Sequence, residues 1–182
     1  LDLLIKNGLV VDGSGNPGFY GSVGVDGDTL HVFRGDSSGL EAARVFDAGS
    51  KVVCPGFIDM HSHGQDPENY AVQAQDGVTS CLELEVGTAD IDAWYGEREG
   101  AALVNYGASA GHIPVRMKVI PDPGNIVPIA DAAYRASTDA ELAEILGDIE
   151  RGLQRGGLAV GFGLAYTIAA SRWEVLEVFR VA

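Results

Sequence analysis

Apolar and polar residues alternate with a period of two through the first fifty residues, over 3–11, 21–25, 29–33 and 44–47. Turn-forming clusters separate these runs, notably Gly13-Ser14-Gly15-Asn16-Pro17-Gly18 and Asp26-Gly27-Asp28. Such short alternating runs predict β-strands with one face toward a core, in a small β-sandwich or β-roll. Asp26-Gly27 is the clearest hairpin signal among them. From residue 55 the rhythm changes. Strand-like stretches at 57–61, 78–86, 102–109 and 157–166 alternate with helical patterns at 67–75 and 91–99 and with two longer helices near the end. That alternation predicts an α/β arrangement, a parallel sheet with crossover helices. The chain therefore reads as two regions, residues 1–54 and 55–182.

The last two helices carry the most explicit boundary signals. Thr138-Asp139-Ala140-Glu141 has the form of a capping box, and Leu142, Ile145, Leu146, Ile149 and Leu153 make one apolar stripe that Gly156-Gly157 ends. Ser171-Arg172-Trp173-Glu174 reads as a second capping box, opening a helix with Val175, Leu176 and Phe179 on it.

Composition narrows the function classes. Apolar residues make up 46% of the chain and there are 25 glycines, which suits an α/β protein with many tight turns. No apolar run is long enough to cross a bilayer. A net charge of -14 opposes binding to a polyanion, so nucleic acid is excluded as a partner and small-molecule chemistry favoured. Cys54 and Cys81 are too few for a disulfide framework; each falls in an apolar stretch, where a reduced, buried thiol is expected, as in the cytoplasm. The chain opens at Leu1 rather than Met, which leaves a removed leader or an engineered start open.

Candidate chemistry concentrates after Pro55-Gly56. In an extended strand, side chains at 57, 59, 61 and 63 share a face, so His61 and His63 project together from the strand's C-terminal end. Neutral imidazoles are common zinc ligands, and a site with few protein ligands leaves room for an activated water. An isolated His-x-His is also compatible with two surface histidines. Here, however, the pair falls where a strand stops and a Gly64 turn begins, the position that carries chemistry in a β/α barrel.

The run Pro55-Gly56-Phe57-Ile58-Asp59-Met60-His61-Ser62-His63 resembles the close of the first barrel strand in the amidohydrolase superfamily of metal-dependent hydrolases, and residues 2–13 resemble that superfamily's first sandwich strands. Gly77-Val78-Thr79-Ser80, Asn105-Tyr106-Gly107-Ala108-Ser109 with Gly111-His112, and the glycine-rich 157–166 follow the order and approximate spacing of the N-acyl-D-amino-acid deacylase (D-aminoacylase) branch. The resemblance runs the length of the chain. It implies a (β/α)8 TIM-type barrel whose first four β/α units are residues 55–182, with residues 1–54 part of a β-sandwich. A closed barrel needs eight such units in ~250 residues, so these 182 residues are expected to need the second half of the barrel or another chain, a homo-oligomer included, to cover open edges.

The resemblance also implies one or two divalent ions, zinc foremost, with His61 and His63 as ligands. Further histidines from strands five and six, and a catalytic Asp from strand eight, would lie outside these residues. Many relatives use a carboxylated lysine on strand four, but 157–166 has none, and Lys118 lies beyond strand three. The branch's usual strand-two cysteine is replaced by Cys81-Leu82-Glu83-Leu84-Glu85. Cys81, Glu83 and Glu85 share one face of that strand, and two buried carboxylates require a metal or Lys/Arg partners. Glu85, nearest the mouth, is the expected bridging ligand, with Glu83 second and Cys81 in the core. His112, ending strand three, is expected to line the substrate pocket rather than bind metal. Tyr166, ending strand four, is either a pocket residue or a structural tyrosine, and His31 a solvated strand residue. The implied reaction is hydrolysis of the amide of an N-acyl-D-amino acid, the missing Asp moving the proton from water to the leaving amine. Cyclic-amide hydrolysis on the same scaffold, or a non-catalytic metal-binding fragment, are the alternatives.

Overall fold

Alternation in the first region builds one mixed five-stranded sheet. In the computed structural model, which describes residues 1–182, the chain divides into the units Leu1–Gly56 and Phe57–Ala182. In the first, β1 (Leu3–Val10) lies between β2 (Phe19–Asp26), antiparallel to it, and β4 (Arg44–Asp47), parallel to it; β5 (Val52–Val53) also pairs with β1 in parallel. β3 (Thr29–Arg34) forms the hairpin with β2. Its two-residue turn is Gly27-Asp28, one position later than the sequence suggests, with Gly27 at φ 58° and its N–H on Asp2 Oδ2 at 2.8 Å. The region expected to be sandwich-like is thus a single sheet. One of its faces presents Ile5, Val23, Val25, Leu30, Val32 and Val53 around an apolar hollow. Cys54 departs from expectation: the ladder ends at Val53, so the thiol sits in an exposed connector rather than a strand. His31 is exposed on β3.

The second unit is a four-stranded parallel sheet in sequential order, β6 (Phe57–Asp59), β7 (Val78–Thr88), β8 (Asn105–Gly111) and β9 (Val160–Gly161). Helices α1 (Pro67–Gln75) and α2 (Ile91–Gly96) make the first two crossovers. The third passes through α3 (His112–Val119), α4 (Asp131–Tyr134) and α5 (Asp139–Gln154), and α6 (Arg172–Val181) follows β9. Four β/α units in sequential order are what the sequence predicts; eight-fold closure is not a feature of these residues. Strand three runs two residues further than expected, and His112 opens α3 instead of ending the strand. Pro114 in that first turn removes a donor the helix would leave unpaired in any case.

α5 forms as its sequence requires. Thr138 accepts the Glu141 N–H, the Glu141 carboxylate returns to the Thr138 N–H, and acidic residues occupy the first turn. Its Ile145 and Ile149 are fully buried with Ala110, Val115 and Val178, a core that Val160 of β9, Phe162 just after it and Val181 of α6 complete. Each such aliphatic side chain contributes roughly 1.5–3 kcal/mol by leaving water. The second capping box is only half formed. Ser171 Oγ accepts the Glu174 N–H at 3.0 Å, but the Glu174 carboxylate turns into the interior.

β7 carries the main irregularity. Its register with β8 runs from Glu83 opposite Ala108 to Thr88 opposite Ala110, so Leu84, Glu85, Val86 and Gly87 stand against the single residue Ser109. Gly87 adopts φ 67°, which a side chain would resist.

Candidate metal centre

His61 and His63 lie just past β6, which is shorter than the 57–61 expected. The Asp59 carboxylate accepts the His61 N–H at 3.0 Å and bends the chain out of the ladder. Ser62 then pins the segment back. Its N–H donates to the Leu82 carbonyl of β7 at 3.1 Å, and its buried hydroxyl accepts from Gln73 Nε2 at 2.8 Å. Gln73 Oε1 accepts from Cys81 Sγ at 2.8 Å; Gln65 donates to the Ser62 carbonyl at 3.1 Å and accepts from the Tyr70 hydroxyl at 2.8 Å. Locking Ser62 inward turns the two flanking imidazoles outward, 4.7 Å apart and edge-on at 81°.

Across from them, the β7 irregularity presents Glu85. Its Oε2 stands 3.2 Å from His61 Nε2 and 3.4 Å from His63 Nε2, and the three donor atoms lie within 4.8 Å of one another. Ligands ~2.1 Å from a tetrahedral ion stand ~3.4 Å apart, so the two imidazole–carboxylate spacings match those around a shared divalent metal. His61 and His63 are exposed and Glu85 half-buried, which leaves one side of the cluster open.

The remaining sequence candidates separate from this group. Glu83 is buried, with Oε2 2.7 Å from His63 Nδ1 and Oε1 accepting the Val86 and Gly87 N–H groups at 3.2 and 3.3 Å. The hydrogen bond to Glu83, against some desolvation and with help from the Glu83 and Glu85 charges, raises the His63 pKa above its ordinary value. Cys81 is a fully buried thiol whose pKa burial pushes up, which keeps it protonated. Tyr166 is exposed in the turn after β9, its N–H on the Gly163 carbonyl at 2.9 Å. Lys118 lies on α3 and pairs with Asp148 at 2.9 Å.

His112 is corrected by the structure. It is wholly buried, so it offers no surface to a substrate. Its Nε2 lies 2.8 Å from Glu174 Oε1, and Arg116 Nη1 reaches both oxygens of the same carboxylate at 2.5 and 2.7 Å. Ser137 Oγ donates to Glu174 Oε2 at 2.7 Å, while Arg116 Nε donates to the Ala132 carbonyl at 2.7 Å and Nη2 to the Arg135 carbonyl. Burial alone would raise the Glu174 pKa, but hydrogen bonds from His112, Ser137 and Arg116 outweigh it and hold the group down at about 2. Sequence reasoning missed this role for Glu174 and the Ser62–Gln73 anchor. The Gly87 that follows Glu83-x-Glu85 is the one local sign of the β7 irregularity.

Comparison with known proteins places the chain. No protein-family model matches it. A D-aminoacylase from Alcaligenes xylosoxydans xylosoxydans is 30% identical over 214 residues, covering 98% of this chain and 41% of the relative. An N-acyl-D-glutamate deacylase from the same organism is 28% identical over 195 residues, covering 91% and 38%. A solved structure of D-aminoacylase, described as defining a novel subset of amidohydrolases, superposes with a TM-score of 0.81 at 27% identity, over 99% of this chain and 42% of that one. The chain thus spans about two fifths of the length of these relatives. Because the likeness extends along essentially the whole chain, in sequence and in backbone rather than at one motif, it belongs to the D-aminoacylase branch of the amidohydrolase superfamily.

Proposed function

We propose that this chain supplies the first metal-binding wall of a hydrolase that cleaves the amide bond of N-acyl-D-amino acids. The observation that carries the reading is the convergence of His61 Nε2, His63 Nε2 and Glu85 Oε2 at the C-terminal end of a parallel β/α sheet. Relatives named as a D-aminoacylase and an N-acyl-D-glutamate deacylase support the substrate class. Two imidazoles and a carboxylate suit zinc, which His61, His63 and Glu85 would hold, Glu85 being the residue that would be shared if a second ion were bound. When bound, such an ion supplies Lewis acidity and brings the pKa of water into the physiological range.

The chain's own part is to hold and orient. The Ser62 anchor aims both imidazoles, the β7 irregularity sets Glu85 opposite them, and Tyr166 faces solvent after β9, available to a substrate. The general base and the remaining ligands are assigned to residues beyond this chain. The partner is a small amide; the net charge of -14 disfavours nucleic acid, and no helix is long and apolar enough to cross a membrane.

The test compares metal content and turnover in the full-length protein that supplies the general base and remaining ligands and in its His61→Ala, His63→Ala double variant. The variant is expected to lose the bound ion and all hydrolysis of N-acyl-D-amino acids. Equal metal content in both would refute the site. Turnover of a hydantoin or dihydropyrimidine in preference to the D-acyl substrate would replace the substrate class with cyclic amides.

A further inference from the structure

We infer that Glu83 is a positioning residue that sets two of the three metal donors at once and does not itself bind the ion. The inference rests on the proposed metal centre. An ionised carboxylate only accepts hydrogen bonds, so the ring nitrogen it faces must carry the proton. Glu83 Oε2 lies 2.7 Å from His63 Nδ1, which fixes the Nδ1–H tautomer and leaves the Nε2 lone pair free, 3.4 Å from Glu85 Oε2. The other oxygen has a separate task. Where β7 breaks register with β8, the Val86 and Gly87 N–H groups both donate to Glu83 Oε1 at 3.2 and 3.3 Å. That stretch displays Glu85. One buried carboxylate, 7% exposed, therefore ties the imidazole of His63 to the backbone segment bearing Glu85.

Both oxygens of Glu83 are committed to these donors, which argues against its serving as a ligand. Glu83→Gln keeps the shape but has a single acceptor oxygen. With that oxygen held by the Val86 and Gly87 N–H groups, the amide NH2 faces His63 Nδ1, which must then accept. The ring proton moves to Nε2, the nitrogen required for the metal.

The experiment measures zinc affinity by competition titration in the full chain, its Glu83→Gln variant and its Glu83→Asp variant. It also records the His63 tautomer by ¹⁵N NMR of the zinc-free protein at alkaline pH. Expected are an Nδ1–H tautomer in the wild type, an Nε2–H tautomer in Glu83→Gln, and zinc affinity lower there by on the order of 10- to 100-fold. Glu83→Asp, too short to span both donors but still a carboxylate that can accept from Nδ1–H, is expected to lose less. Cobalt-loaded wild type and Glu83→Gln should share one absorption envelope, because the ligand set is unchanged. The inference is overturned by an Nε2–H tautomer in the wild type, a readout that stands even if the variants fail to fold. It is likewise overturned by undiminished zinc affinity in Glu83→Gln, or by a changed cobalt envelope that would make Glu83 a ligand. Failure of wild-type protein to bind zinc would refute the metal centre itself, and this inference with it. A wild type that binds zinc beside a Glu83→Gln variant that binds it equally well refutes the inference alone.

Discussion

Two histidine–glutamate clusters occupy the region Phe57–Ala182 and are finished in opposite ways. Around Glu174, Arg116, His112 and Ser137 converge on one carboxylate at zero exposure, which engages both of its oxygens. Around His63, Glu83 engages only the Nδ1 side, while the Nε2 atoms of His61 and His63 and the Glu85 carboxylate face one another at a partly exposed surface. A histidine beside a carboxylate is therefore uninformative by itself. His112 Nδ1 is left without a partner in the first cluster but is sealed from water. The second gathers several such atoms around one point that water can reach, and that separates a brace from a binding site.

The largest expected break in that comparison is Glu174→Gln. It leaves the Arg116 guanidinium buried without its counter-charge, a loss of roughly 3–5 kcal/mol in denaturant unfolding with metal content per folded molecule unchanged. A cost below about 1 kcal/mol would mean that the pair is dispensable.

Acid titration should divide the clusters next. Glu174 has a folded pKa depressed to about 2, so its contribution is present above the unfolded carboxylate range and is lost as pH falls from about 4.5 toward 2, on the order of 3 kcal/mol in all. His63 has the opposite sign. Its pKa is raised in the metal-free protein, so its stabilisation is present below the unfolded value near 6.5 and disappears as pH rises through the higher folded value. Thermal midpoints measured in chelator across this range should lose the acid-side decline in Glu174→Gln and the neutral-side decline in His63→Ala. Identical profiles in the two variants would contradict the assignment.

The smallest effect on stability belongs to Glu85→Gln. Changing this partly exposed side chain is expected to move unfolding by less than about 0.5 kcal/mol, yet to lower metal content more than any other single change on β7. If Cys81→Ser removed more metal than Glu85→Gln, the buried thiol would have to be a ligand.

Much of this was legible from one-dimensional pattern. Period two alone brings His61 and His63 together and sets Glu83 and Glu85 on one face, and the Thr138 capping box fixes α5. What escaped was decided by partners far away in sequence. Ser171-x-x-Glu174 has the spacing of a capping box, but Arg116 and His112, 58 and 62 residues distant, take the carboxylate instead. A polar side chain goes to the strongest donors in reach, and a buried guanidinium outcompetes one backbone N–H. Likewise Glu83 and Glu85 look equivalent in the sequence. Only the register break against β8 assigns one inward to His63 and the other outward, and apart from Gly87 no local signal marks it.

Gly161 of β9 touches no donor, yet a methyl group added there would lie 2.5 Å from the backbone oxygens of both Leu84 and Glu85. A saturation-mutagenesis map scored on catalysis should consequently show an intolerant position at Gly161 that carries no chemistry. Its intolerance would be steric, transmitted through the main chain of β7, and changes of substrate or metal would not relieve it.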